Sequence, residues 1–213
     1  MISPQEALER LREGNRRFAG VAESRRAGCD QARRVALVVG QSPWAIVLGC
    51  SDSRVPVETV FDCGLGDLFV VRVAGNVAGP SQVGSIELAV VRFGTRLVVV
   101  LGHSHCGAIK VALEDIERPD SAMSADLHSV VDLVRPSVER LVAPGSAYDR
   151  DAILAQAVRS NVVAAVYRLR HGSDVLRCRA RDAGLVIVGA EYSLETGVVD
   201  FFDGGPGVGR EKG

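Results

Sequence analysis

Three short aliphatic runs, Ala45–Gly49, Asp67–Val73 and Leu97–Gly102, constrain the fold of this chain more than any other feature. Each is rich in Val, Ile and Leu, and none alternates polar with apolar residues. A strand with one wet face must alternate, so a run that does not is covered on both faces, as inside a parallel sheet. Covering two faces takes helices, and the intervening sequence supplies them. Pro80–Arg92 carries Val83, Ile86 and Val90 at helical spacing and stops at Gly94. Cys106–Ile116 does the same with Ile109, Ala112, Leu113 and Ile116.

The flanking sequence completes the pattern. Residues 3–19 read as a helix, with Ser3 as cap, Pro4 in the first helical position and Glu6 closing a capping box. Residues 21–34 read as a polar, basic connector. Leu127–Leu141 has helical period, but Pro136 is expected to break or kink it. Tyr148–Arg170 reads as a long amphipathic helix halted by His171-Gly172. Leu185–Ala190 is a fourth buried strand, and Thr196-Gly197 turns the chain into Val198–Phe202, an antiparallel edge strand. The expectation is an α/β fold: a mostly parallel central sheet of four strands plus an antiparallel edge strand, flanked by helices, with an N-terminal helical arm. One domain spans 1–213, with the arm over 1–34, the α/β core over 35–203 and a flexible tail over 204–213.

Composition narrows the partners. Lys+Arg 25 against Asp+Glu 26 gives a net charge of −1, which leaves no concentrated positive face for nucleic acid or an anionic membrane. No apolar run approaches the roughly 18 residues of a membrane span. The opening Met-Ile-Ser-Pro-Gln-Glu has neither the basic head nor the apolar stretch of a secretion signal, so the expected location is the cytoplasm. Five cysteines, an odd number, do not suggest a disulfide framework. Cys29, Cys63 and Cys178 have no evident ligand partners and read as inert.

Cys50 and Cys106 differ. Cys50-Ser51-Asp52-Ser53-Arg54 stands at the end of the first strand and His103-Ser104-His105-Cys106 at the end of the third. Ligands of open α/β sheets bind outside the carboxyl ends of the strands, so both segments arrive at one edge. Two thiolates and an imidazole suit Zn²⁺, and three protein ligands leave a fourth position open, as in catalytic sites. A helix starting at Cys106 turns its positive end toward the site and favours thiolate over thiol. His105 is the rival ligand, but adjacent side chains diverge. A nucleobase deaminase would need His-x-Glu and Pro-Cys-x-x-Cys, and a dinucleotide-binding fold a Gly-x-Gly-x-x-Gly after a strand; neither occurs.

Cys-x-Asp-x-Arg followed downstream by His-x-x-Cys resembles the signature of the β-class carbonic anhydrases, and the likeness runs from Ala7–Phe18 through to Gly189–Gly197. The resemblance implies one Zn²⁺ per chain on Cys50, His103 and Cys106. Asp52 then either takes the fourth position or swings away to pair with Arg54 and let water in. Zinc-bound hydroxide, helped by Asp52 and Arg54, hydrates CO2 reversibly to bicarbonate and a proton. The resemblance further implies a homodimer or tetramer with exchanged N-terminal helices and a site at the subunit interface. There Gln41 contacts substrate and Phe69 lines the CO2 pocket.

Some relatives are switched by bicarbonate at a second site built from a tryptophan, an arginine and a tyrosine. Arg72 and Tyr192 match the last two, but Val47 stands at the tryptophan position, so the switch is expected to be absent or weak. Leu88 replaces a pocket tyrosine of another subgroup. The competing readings are hydrolysis of carbonyl sulfide or carbon disulfide, and a non-catalytic zinc or redox-sensing protein. His128 and His171 read as solvated helix residues, and Trp44 as a packing or interface anchor.

Overall fold

The structure, a computed structural model, describes residues 2–20, 31–118, 123–142 and 149–204. Among them lie five strands, β1 (Ala45–Gly49), β2 (Leu68–Arg72), β3 (Leu97–His103), β4 (Val186–Tyr192) and β5 (Val199–Asp203). The helices are α1 (Pro4–Phe18), α2 (Gln31–Ala36), α3 (Val57–Val60), α4 (Pro80–Phe93), α5 (Gly107–Glu117), α6 (Ala125–Glu139), α7 (Arg150–His171) and α8 (Asp174–Ala183). The strands form one sheet in the order β2-β1-β3-β4-β5; the first four are parallel and β5 runs antiparallel to β4 at the edge. That is the expected α/β architecture.

The absence of alternation in the central strands has a direct cause. In β1 and β3, successive side chains point to opposite faces, and each face meets its own apolar layer. Val47, Leu97, Val99 and Leu101 join Leu8 and Leu11 of α1 and Phe61 in one buried cluster. Ile46, Leu48, Val98 and Val100 join Ile86 of α4 and Val162, Val166 and Leu169 of α7 in the other. Burying each such side chain is worth about 1.5–3 kcal/mol, so a polar residue anywhere in these runs would lose that gain.

α1 begins as its sequence indicates, with the Ser3 hydroxyl accepting from the Glu6 N–H. It lies on the sheet of its own chain, which buries Ala7, Leu8 and Leu11. Gly14 makes the approach possible, since a Cβ there would fall 1.9 Å from the Phe61 carbonyl oxygen.

Four local features depart from the sequence pattern. β2, expected to be covered on both faces, lies at the sheet edge and is fully buried only at Leu68. α6 continues through Pro136 and does not break there; Val134 and Val138, on either side of it, are both fully buried and hold the helix together. α8 lacks apolar periodicity, with Leu176 as its buried residue, and is defined by its ends: Ser173 caps Leu176 N–H and Gly184 closes it at φ 67°. α2 lies partly inside the expected connector. Residues 21–30 and 205–213, which include most of that connector and nearly all of the expected tail, lie outside the described residues. No helix among the described residues is long and apolar enough to cross a membrane.

Candidate metal centre

Parallel pairing of β1 with β3 sets Leu48 opposite Val100 and Gly49 opposite Leu101, so the segments that follow both strands leave the sheet side by side. Cys50 follows β1 directly, His103 ends β3, and Cys106 caps α5. Their donor atoms, two Sγ and an imidazole nitrogen, all lie within 4.8 Å of one another, and all three residues are buried. Among the described residues this is the cluster whose geometry would hold a metal ion.

The hydrogen bonding at each donor fits that role. His103 Nδ1 sits 2.9 Å from the Ser104 carbonyl oxygen, to which it donates, while the buried Nε2 has no partner. A buried nitrogen without a partner is costly unless a ligand takes it, and this orientation through a backbone carbonyl is how metal-bound histidines are held. Cys50 Sγ accepts from the Gly75 N–H at 3.4 Å. The Cys50 thiol is pulled down to about 4, first by a hydrogen bond from the Cys106 thiol, and also by His103 and the backbone N–H groups of Asp52 and Gly75, against the opposing effect of burial. The Cys106 thiol is pushed far above its usual range because it shares its proton with the Cys50 thiolate and is buried, although the Ala108 and Ile109 N–H groups of α5 lower it. The pair therefore gives up one proton readily and keeps the second until a cation replaces it. Two thiolates and an imidazole fit Zn²⁺.

Asp52 stands beside the three donors without joining them. Arg54 takes both carboxylate oxygens, Nε to Oδ1 at 2.9 Å and Nη2 to Oδ2 at 2.7 Å, and its backbone N–H adds a third bond to Oδ1. Oδ2 is 3.9 Å from His103 Nε2. Arg54, followed by its backbone N–H and by His103, holds the Asp52 carboxyl well below the usual carboxylate range. Of the two arrangements that the sequence leaves open, the structure has the one in which Asp52 pairs with Arg54.

The remaining candidates are placed as follows. His105 turns outward, with Nε2 2.5 Å from Glu195 Oε1, and leaves the donor cluster to its neighbours. Arg72 donates to the carbonyls of Cys50 (2.9 Å) and Asp52 (2.7 Å), bracing the loop that carries them. Tyr192 packs on Phe18 of α1; β2 and β4 are three strand spacings apart, roughly 14 Å. Phe69 pairs with Ile46 in register and packs on Phe93, roughly 13 Å along the strand from the row of Cys50. Gln41 is exposed ahead of β1, at the opposite end of the sheet from the donors. Cys63 is pushed up to about 12 by burial and by Asp67 and Asp62, consistent with an inert thiol.

Several residues that build the site carry little signal in the sequence. Glu195 receives Ser104 Oγ at 2.9 Å and Ser193 Oγ at 3.0 Å as well as His105, tying the turn between β3 and α5 to the β4–β5 hairpin. The same holds for Gly75 and Asn161. A polar residue on the otherwise apolar face of α7 was the available signal for Asn161.

Comparison with known proteins agrees with this geometry. The family model for carbonic anhydrase matches residues 45–199. The chain is 38% identical over 212 residues to carbonic anhydrase 2 of Mycobacterium tuberculosis, covering 98% of each. Among solved structures it is similar to the β-carbonic anhydrase CcaA (TM-score 0.70, 29% identity, 92% of this chain and 95% of that one). It is also similar to one of two tetrameric β-carbonic anhydrases of the ascomycete Sordaria macrospora (TM-score 0.71, 25% identity, 81% and 87% covered).

Proposed function

Because this chain belongs to the β-class carbonic anhydrases, we propose that it is a cytoplasmic zinc enzyme that reversibly hydrates CO2 to bicarbonate and a proton, at the centre formed by Cys50, His103 and Cys106. The observation that carries the reading is the Asp52 carboxylate held by Arg54 next to three soft donors and outside them. A purely structural site has no use for a fourth oxygen donor kept off the metal.

Zinc in this site supplies a Lewis acid that brings water into the range where it ionises near neutral pH. The chain's own groups do the rest. Cys50 and Cys106 as thiolates offset the charge of the dication, while His103 offers Nε2 and keeps its Nδ1–H on the Ser104 carbonyl. Asp52 accepts a hydrogen bond from the attacking water and so aims a lone pair of its oxygen at the carbon of CO2. Arg54 keeps that carboxylate ionised and in place. Val73, Val77 and Ala108 pack about the two cysteines and give an uncharged linear substrate an apolar wall. The carbon gains the water oxygen, bicarbonate leaves, and the proton goes to solvent.

With Arg72 committed to the Cys50 and Asp52 carbonyls and Val47 at the tryptophan position, we assign no bicarbonate switch. We also propose a homodimer or tetramer. The Sordaria relatives are tetrameric, and Val38 and Val39 stand 82% and 94% exposed. In such an assembly Gln41 and Phe69, remote from the donors of their own chain, serve the site across the subunit interface. Stopped-flow CO2 hydration on zinc-quantified protein tests the reading: rapid turnover supports it, and none at any pH with one zinc per chain sinks it in favour of carbonyl sulfide or carbon disulfide.

A further inference from the structure

We infer that Asn161, on α7, is a positioning residue of the metal centre: by holding the carbonyl of the Gly75–Asn76 peptide it fixes the backbone turn at Gly75 that presents the Gly75 N–H, in the preceding peptide, to the Cys50 sulfur.

The inference rests on the proposed role of Cys50 as a zinc ligand and begins from an anomaly in α7. The buried residues of that helix are Ile153, Ala157, Val158, Val162, Ala165, Val166 and Leu169, all apolar, and Asn161 at 2% exposure. Burying an amide among aliphatic side chains is unfavourable unless it is hydrogen-bonded. Its Nδ2 donates to the Gly75 carbonyl oxygen at 2.7 Å. That carbonyl belongs to the residue whose N–H lies 3.4 Å from Cys50 Sγ.

Gly75 requires such a tether. It sits in the left-handed region (φ 68°, ψ 18°). A Cβ there would crowd Ala108 Cβ at 3.0 Å and Val134 Cγ2 at 3.1 Å in a backbone conformation that side chains rarely adopt, so glycine is favoured. Glycine is also the residue least able to enforce one backbone conformation by itself. The conformer that aims N–H at sulfur has to be imposed from outside. The turn bond from Asn76 N–H to the Val73 carbonyl (3.1 Å) and the bond from Asn161 to the Gly75 carbonyl (2.7 Å) hold both polar ends of the Gly75–Asn76 peptide, which fixes the turn at Gly75. An N–H bond to a thiolate withdraws charge from the sulfur and fixes its direction, as partners around a metal site do for ligating groups.

Chelator-competition titration of zinc and the thiolate-to-metal charge-transfer band of the Co²⁺-substituted protein test this, using Asn161→Leu, Asn161→Asp and, as a packing control on the same helix, Val166→Ala. The Asn161 variants should lose about 10-fold to 100-fold in zinc affinity and shift the band. Val166→Ala should lower Tm and leave both unchanged. Folded Asn161 variants with wild-type affinity and band overturn the inference, as does an equal loss in Val166→Ala. If neither Asn161 variant folds, wild-type protein loaded with ¹¹³Cd decides. A scalar coupling from the Gly75 amide proton to cadmium, with a slowly exchanging Asn161 side-chain proton, is expected; absence of either overturns it. A wild-type Co²⁺ protein with no charge-transfer band at all would instead remove Cys50 as a ligand, which is a failure of the underlying reading and not of the Asn161 tether.

Discussion

Arg54 lies two positions beyond Asp52 and grips it with a two-pronged guanidinium fork, 2.9 Å and 2.7 Å from the two carboxylate oxygens. Arg54 is largely open to solvent, and ion pairs of that kind add little to stability. The consequence of the fork lies in where the carboxylate points. It lies beside the three donors, with Oδ2 3.9 Å from His103 Nε2, and is held by Arg54 without joining them.

Asp52→Asn should therefore leave the fold and zinc content in place while lowering CO2 hydration. The asparagine cannot form the charged fork with Arg54, and its amide can donate where the water needs an acceptor. A drop of about 10-fold to 100-fold is expected, read by stopped-flow with zinc quantified on the same sample. Full activity would remove Asp52 from the reaction.

The fork also sets a pH expectation. The Asp52 carboxyl is depressed, so whatever the pair contributes is present above the ordinary carboxylate pKa and is lost only as pH falls through the much lower folded value. At neutral pH Asp52 stays ionised, and with Arg54 holding both of its oxygens we expect it to remain paired there. Hydration should rise smoothly from about pH 6.5 with no cooperative onset near pH 8, and added bicarbonate should inhibit only as product. An abrupt onset, or a sigmoidal bicarbonate response, would show that Asp52 closes the site at rest.

Metal uptake should release close to one proton from the thiol pair at pH 7. Cys50 is pulled down by the proton it shares with Cys106 and ionises first, while Cys106 is pushed up and holds that proton until the cation takes its place. Calorimetric zinc titrations in buffers of different ionisation enthalpy count the protons directly; a value near two would mean that Cys50 is a neutral thiol in the apo protein. Binding to the folded state alone should add about 2.7 kcal/mol of stability at free zinc 100 times Kd, so chelation should lower Tm.

Asn15 joins the first helix to the last strand. Its Nδ2 donates to the Val60 and Gly197 carbonyls, and its Oδ1 accepts from the Val199 N–H at 2.8 Å. Asn15→Ala leaves these buried groups without partners, at about 1–3 kcal/mol for each one stranded. A loss of about 3 kcal/mol, or roughly 10 °C in Tm, is expected in thermal melts, with zinc affinity unchanged.

The elements that the sequence determined by itself are those whose signal is local. β1 and β3 are legible because a strand covered on both faces must be apolar at every position, and Ala45–Gly49 and Leu97–His103 are buried throughout. The carboxyl-end rule then places Cys50, His103 and Cys106 at one edge before any coordinate is known. α8 was not legible, since a helix resting on a single buried leucine leaves no period to read. Tertiary structure decided what depends on distance across the fold. The β1–β3 register brings residues from two strand ends within reach of one ion. Rotamer and charge put Asp52 on Arg54. Asn161 reaches Gly75 only because α7 packs over the sheet beside it. Such contacts join residues far apart in the chain through side chains whose local sequence carries no trace of the partner, so only packing could reveal them.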